Sequence, residues 1–155
     1  METTALLVKQ SDLQNYLTEL MSKEQGIVDD LLVILPYLKN DTLKTSIQKR
    51  LSQGLECLAV LKAGFVPVEG GYFTKVDTKK KWQRKWVQET LESMPAEVKE
   101  VWNKVKKMGV FDTFAVSTGG GDPMLVGRKG RKNFFIAGWL PLDRKISLGI
   151  RMRLP

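Results

Sequence analysis

Apolar residues recur at steps of three and four positions between residues 10 and 63, a spacing typical of amphipathic helices. One helical run begins near Ser11, which has capping-box spacing to Gln14, and a second extends over about 23–39. Residues 40–42 are typical of a turn followed by a helix N-cap. A third helix continues to Gly64, where Gly-Phe indicates a Schellman stop. The pattern therefore predicts antiparallel helices joined by a short turn.

After the third helix the spacing changes to alternation, which is typical of strands. Residues 65–76 alternate around Glu69-Gly70-Gly71 and predict a β-hairpin. Two helices are expected next, over 79–93 and from Pro95 to Lys107. Short strands follow at about 110–117, 124–128, 133–140 and 145–152.

Helices first and successive short strands last indicate an α+β fold. The expected architecture is an N-terminal helical hairpin or bundle, a small β-hairpin, two helices and a C-terminal antiparallel β-meander. At 155 residues with 43% hydrophobic content, the chain suits a single domain over 1–155. Within it, 10–63 form a helical part and 64–155 form a basic α+β part.

The positive charge is concentrated in the second part of the chain. Residues 1–62 carry seven basic and eight acidic residues, a net charge of −1, whereas 63–155 carry eighteen and nine, a net charge of +9. The segment 122–155 alone has a net charge of +6. Such a charge density favours nucleic acid, DNA or RNA, or an acidic protein surface as the partner. The alternative is a charge that serves only solubility.

Three basic segments are candidates for contacts with phosphate groups. The first lies on the predicted helix 79–93, whose cationic side is opposite a side with two tryptophans. The second is the loop 128–132 between two apolar strands, and the third is one side of the predicted last strand. The candidate nucleic-acid-binding residues are Lys81, Arg84, Lys85, Arg128, Lys129, Arg131, Lys132, Lys145, Arg151 and Arg153. Each segment has a plainer interpretation as a solvated face or a protected strand edge.

The residue inventory excludes several kinds of chemistry. The chain has no histidine and one cysteine, Cys57, so Ser-His-Asp and Cys-His catalysis, His- and Cys-based zinc sites and internal disulfides are excluded. Cys57 stands between leucines in a helical pattern and is interpreted as a small buried apolar residue. The three glycines at 119–121 lack the spacing of a phosphate-binding loop.

We therefore expect a small non-catalytic nucleic-acid-binding accessory protein without a cofactor. One alternative is a protein-interaction or assembly module that docks, with a partner or with another copy, through its leucine-rich N-terminal helices. A second is a magnesium-dependent nuclease using Asp122 and Asp143, the latter in a short Asp-x-Lys arrangement. The apolar run at 5–8 is too short for a signal peptide or a membrane span, so an intracellular, cytoplasmic location is expected.

Overall fold

The computed structural model of the protein describes residues 10–77, 83–117, 122–142 and 144–153. Helices dominate the first part and strands the last, so the α+β class is confirmed. The elements, in chain order, are α1 (Gln10–Ile34), a 3-10 turn (Leu35–Tyr37), α2 (Asp41–Lys62), β1 (Pro67–Val68), β2 (Phe73–Val76), α3 (Lys85–Glu92), α4 (Ala96–Met108), β3 (Thr113–Ser117), β4 (Met124–Lys129), β5 (Lys132–Leu140), β6 (Lys145–Leu148) and α5 (Ile150–Arg153).

The two helical runs expected before residue 40 form one continuous helix, α1. The prediction of a boundary between them was wrong because the apolar spacing continues and no proline interrupts the helix. The first proline of the chain is Pro36, which lies in the 3-10 turn after α1. α1 and α2 then pack against each other as the predicted antiparallel pair. No helix in the described residues combines the length and the apolar character needed to cross a membrane.

Three helix ends follow the predicted signals, whereas residues 83–84 of the helix expected over 79–93 are not helical and α3 begins at Lys85. The side chain of Asn40 accepts a hydrogen bond from the backbone N–H of Leu43 over 3.0 Å at the start of α2. At its end Gly64 adopts a left-handed φ of 96°, and the N–H of Phe65 reaches the carbonyl of Val60 in the Schellman pattern. Gly109, with φ 70°, ends α4 in the same left-handed region.

The six strands form one antiparallel sheet in the order β1-β5-β4-β3-β2, with β6 also paired to β5. β1 and β2 form where alternation predicted strands, but the expected hairpin between them was wrong. β1 pairs with β5 and β2 pairs with β3, so the two strands lie at opposite ends of the sheet order. The local pattern identifies strands but carries no information about which strand is the partner.

The sheet is curled. In a flat sheet, four strand spacings would separate β1 from β2 by about 19 Å. The five residue steps from Val68 to Phe73 cover about 18 Å at most when fully extended, and Gly70 and Gly71 bend this connection with φ values of 74° and 81°. The two ends of the sheet therefore approach each other.

β5 is the central strand and is covered on both faces, as its continuous apolar run indicates. Phe134 and Trp139 are fully buried, and the indole N–H of Trp139 donates to the hydroxyl of Ser93 over 3.1 Å. Helices α1, α2, α3 and α4 all contribute side chains to the core on this sheet.

The predicted last strand, 145–152, ends early. β6 stops at Leu148, and the chain turns at Gly149 into the short helix α5. Ser147 and Gly149, which strand alternation would place on the same side as Lys145 and Arg151, are buried. A Cβ on Gly149 would approach the carbonyl oxygen of Phe135 to 3.1 Å, so the chain passes here directly against β5. Lys145 and Arg151 thus do not share the face of one strand.

Burial along the helical hairpin is uneven. The buried residues of α1 and α2 lie towards the sheet, at Leu17, Glu24 and Val28 and from Gly54 to Leu61. Residues 29–49, all of which the structure describes, include no buried residue although nine of them are apolar. The far end of the hairpin therefore extends beyond the core.

Candidate functional site

A cleft of about 400 Å³ lies between the helical hairpin and the two-residue turn that joins β4 to β5. Gly130 is the first of the two turn residues and has φ 62°, the left-handed conformation that such a turn requires of its first residue and that favours glycine. The turn directs its cations towards α2. Six charged side chains line the cleft: Glu24, Arg50, Glu56, Lys129, Arg131 and Lys132.

Glu24 is a buried carboxylate on the helical side of the cleft. It is only 6% exposed, and its Oε2 lies 3.1 Å from Nη2 of Arg50. The two helices approach closely beside this pair: a Cβ added to Gly54 would lie only 2.8 Å from Cγ2 of Val28. The ion pair compensates for the desolvation of Glu24 and fixes Arg50 at the helical wall of the cleft.

Lys129 connects the turn to two other parts of the structure. Its Nζ lies 3.2 Å from Oδ1 of Asp112 and 3.6 Å from Oε2 of Glu56. The hydrogen bond from the Gly130 N–H, with Lys129 beside it, lowers the pKa of Asp112. The hydrogen bond to Asp112, together with Glu56, raises the pKa of Lys129. The half-buried Lys129 is therefore held between two exposed carboxylates.

Cys57 lies at the junction of the helical and turn sides of the cleft. It is 8% exposed, and Nζ of Lys132 donates to its Sγ over 3.7 Å. Burial raises the pKa of the Cys57 thiol, an effect that the Lys132 ammonium opposes and the Glu24 carboxylate reinforces. The thiol is consequently protonated at neutral pH, and such a group is a poor nucleophile.

The structure brings together the four cations predicted on the 128–132 loop, but with different roles. Arg128 donates through Nε to Oδ1 of Asn133 over 2.9 Å and through Nη2 to the carbonyl of Phe73 over 3.0 Å. It is half-buried and ties three strands together. Arg131 and Lys132 are exposed at the cleft.

The other predicted cations lie elsewhere. Lys145 pairs with Leu140 at the end of the nine-residue β5 opposite the turn, about 27 Å away by strand rise. Arg84 is the N-cap of α3, and Lys85 is its first residue; both are exposed. Arg151, on α5, is exposed beside Gly64. Lys81 and the side chain of Arg153 lie outside the described residues.

Sequence reasoning missed the helical side of the cleft. Arg50, Glu56 and Asp112 resemble ordinary solvated charges in the pattern. Glu24 offered a usable signal, since it falls three to four positions from apolar residues on either side, inside the stripe of α1 that ends at Val28. A carboxylate at such a position requires a partner.

A second candidate surface is the far end of the helical hairpin, which we call the hairpin-tip surface. It consists of large apolar side chains that are exposed where α1 ends and α2 begins. Its members are Leu32, Val33, Ile34, Tyr37 and Leu43. A concentration of large exposed apolar side chains at one end of the fold marks an interaction site more often than a single exposed leucine does.

The carboxylates considered for magnesium are not assembled in the described residues. Asp122 is exposed, and its backbone carbonyl accepts a hydrogen bond from the Ser117 hydroxyl, whereas Asp143 lies outside the described residues. Within the described ranges, no group of three or more His, Cys, Asp or Glu residues is placed to hold a metal ion.

Comparisons of the chain with known protein families, with curated proteins and with solved structures give no match.

Proposed function

We propose that this protein is a non-catalytic assembly module that associates with a second copy of itself through the hairpin-tip surface. The observation that carries the proposal is the 21-residue segment 29–49, which is rich in apolar residues and has no buried residue. Exposed apolar area costs free energy of about 25 cal/mol per Å² relative to burial. Covering it is the expected driving force for association.

A side of α1 extends the same surface. Tyr16, Ile27 and Ile34 fall within about 20° of one another around a helix of 100° per residue, and all three are exposed. This stripe runs towards the tip and is interrupted between Tyr16 and Ile27 by the exposed Lys23, which falls on the same side of the helix. Two hairpins that pack along such stripes give the four-helix arrangement common in helical assemblies.

Charge indicates a second copy as the occupant. Residues 63–155 have a net charge of +9, so the surface that they form repels the same surface of another copy. Residues 29–49 hold three acidic and three basic residues, a net charge of zero. A neutral apolar patch with both signs at its rim suits an isologous contact, in which each patch meets its own image.

Light scattering across a concentration series tests the proposal. We expect a dimer to form at protein concentrations of about 1–100 μM, a range that reports dissociation constants in the micromolar regime. Leu32→Glu places a charge in the hairpin-tip surface and is expected to give a monomer. Leu55→Glu is a matched control, because Leu55 is a helical leucine of almost equal exposure, 51% against 50%, outside this surface.

Three outcomes would overturn self-association. The first is a wild-type protein that stays monomeric throughout the series. The second is equal loss of the dimer in Leu32→Glu and Leu55→Glu. The third is a dimer that dissociates as salt is raised, since an apolar interface withstands salt and an electrostatic one does not.

Nucleic-acid binding is the second candidate function. It is supported by the exposed cations Arg131 and Lys132, neither of which has a carboxylate within ion-pair distance among the described residues. Binding to a labelled oligonucleotide is expected to weaken with salt, with a log–log slope of about −4 for a footprint of about five phosphates. Arg131→Gln with Lys132→Gln should flatten the slope, and absence of binding at low salt would end this candidate.

A further inference from the structure

The charges on the walls of the cleft are not balanced. Its two carboxylates already have cationic partners, since Glu24 pairs with Arg50 and Glu56 pairs with Lys129. Arg131 and Lys132 remain. Among the described residues neither of them lies within 4.0 Å of a carboxylate oxygen. Two cations at one end of the cleft are thus free to meet an anion.

The position of Lys132 also indicates that its charge is available to an anion. Its ammonium group is held against the Sγ of Cys57 at 3.7 Å, and a thiol is a weak acceptor compared with an anionic oxygen. The strong interaction that an ammonium makes with a carboxylate or phosphate is therefore unused in this structure. Held at the wall, the side chain would lose little conformational freedom on meeting such a group.

The floor of the cleft is apolar. Phe134 of β5 and Cys57 of α2 both line it, and both are buried residues of the core. A volume of about 400 Å³ lies within the range of small-molecule sites, which combine apolar walls with a few charged groups. An inorganic ion would fill only part of this space.

We infer that the cleft binds a small molecule in which an apolar body carries one anionic group, a carboxylate or a phosphate. The anionic group contacts Arg131 and Lys132, and the apolar body lies over Phe134 and Cys57. Arg50, held by Glu24, closes the opposite wall. This site is separate from the hairpin-tip surface and does not depend on self-association.

Amide chemical shifts in ¹H–¹⁵N NMR spectra test the inference on the full chain. The probes are phenyl phosphate, benzoate, inorganic phosphate and the neutral benzyl alcohol. We expect phenyl phosphate, benzoate or both to shift the amides of Gly130 to Lys132 saturably, with a dissociation constant of about 0.1–5 mM, as suits fragments of this size. Benzyl alcohol and inorganic phosphate should each bind at least about tenfold more weakly.

Cys57 provides a second readout because it is the only cysteine of the chain. Its alkylation by iodoacetamide is run at alkaline pH, because the thiol is protonated at neutral pH, and mass spectrometry of the product then reports access to the floor of the cleft. A probe that occupies the cleft should slow this reaction in proportion to its saturation in the NMR titration. Benzyl alcohol at the same concentration should leave the rate unchanged.

Two variants assign the anionic contact. Arg131→Gln with Lys132→Gln should raise the dissociation constant at least about tenfold, the effect of losing charge-assisted hydrogen bonds. Lys145→Gln removes an equally exposed cation at the far end of β5 and should leave binding unchanged.

The outcomes separate clearly. Preference for phenyl phosphate over benzoate identifies a phosphate, and the reverse identifies a carboxylate. The inference is overturned if no probe shifts the turn amides, if benzyl alcohol binds as well as the anions, or if inorganic phosphate matches phenyl phosphate. It also fails if Lys145→Gln weakens binding as much as the double variant does.

Discussion

The guanidinium of Arg128, on β4, donates to the backbone carbonyl of Phe73, the first residue of β2, over 3.0 Å. β3 lies between these strands in the sheet. A side chain can reach across it only because the sheet is curled. Arg128 also donates to Asn133 on β5, so one cation fastens three strands inside the curl.

Arg128→Gln is therefore expected to destabilise the fold. The shorter side chain leaves the carbonyl of Phe73 and the side chain of Asn133 without their charged donor, at a cost of about 1–3 kcal/mol. Urea unfolding followed by tryptophan fluorescence measures the change. Arg131→Gln, at the exposed turn, is the control and should shift stability by no more than about 0.5 kcal/mol. Equal effects of both variants would show that Arg128 has no special structural role.

Gly127→Ala should be strongly destabilising. A Cβ at this position would lie 2.5 Å from the ring of Phe111, and that ring is held edge-on against Phe65 with centroids 4.9 Å apart. Because Phe65 restricts movement of the Phe111 ring, overpacking is expected to lower the free energy of unfolding by about 2–4 kcal/mol.

Gly26→Ala is the matched control for that substitution. Gly26 lies inside α1, and a Cβ there meets nothing within 4 Å. Since glycine is a poor helix former, this variant should gain about 0.5–1 kcal/mol. Both changes are read from the midpoints of thermal or urea unfolding. A neutral Gly127→Ala would mean that the Phe111 ring has room to move.

The contact between Asp112 and the turn predicts a pH dependence of stability. The lowered pKa of Asp112 means that its ionised form favours the folded state. This contribution is present above the unfolded-state pKa of about 3.9, and it is lost as pH falls through the lower folded-state value. Asp112→Asn should cost no more than about 1 kcal/mol at pH 7, because the carboxylate is exposed.

Urea unfolding at a series of pH values checks this. The difference between the wild type and Asp112→Asn should be constant from about pH 5 to pH 7 and shrink below about pH 4. The raised pKa of Lys129 gives the opposite dependence: its contribution is present below its unfolded-state pKa of 10.5 and is lost as pH rises through the higher folded-state value. A difference that grows on acidification would contradict the assignment.

The helices and most strand positions could be predicted from the sequence because their signals are local. Asn40, Gly64 and Gly109 end or begin helices for reasons that involve only neighbouring residues. The partners of β1 and β2 could not be predicted, since every residue pair between them and their partner strands is separated by at least 38 positions in the chain. The end of β6 was missed because the turn at Gly149 depends on a tertiary contact: the chain passes there directly against the backbone of β5.

The candidate site shows the same division. The sequence located the turn cations, but it could not separate Arg128, which is structural, from Arg131 and Lys132, which face the cleft. That distinction depends on the curl of the sheet. Whether the remaining basic segments bind nucleic acid stays a prediction, and Lys145 at the far end of β5 would have to act apart from the turn.

The distant partner of β1 also determines when the sheet can fold during synthesis of the chain. Val68 pairs with Asn133, 65 positions later. At a translation rate of about 5–20 residues per second, the ribosome needs about 3–13 s to produce the partner strand. The helical hairpin can form throughout that interval, whereas β1 has no strand to join. Closure of the sheet is therefore a late event.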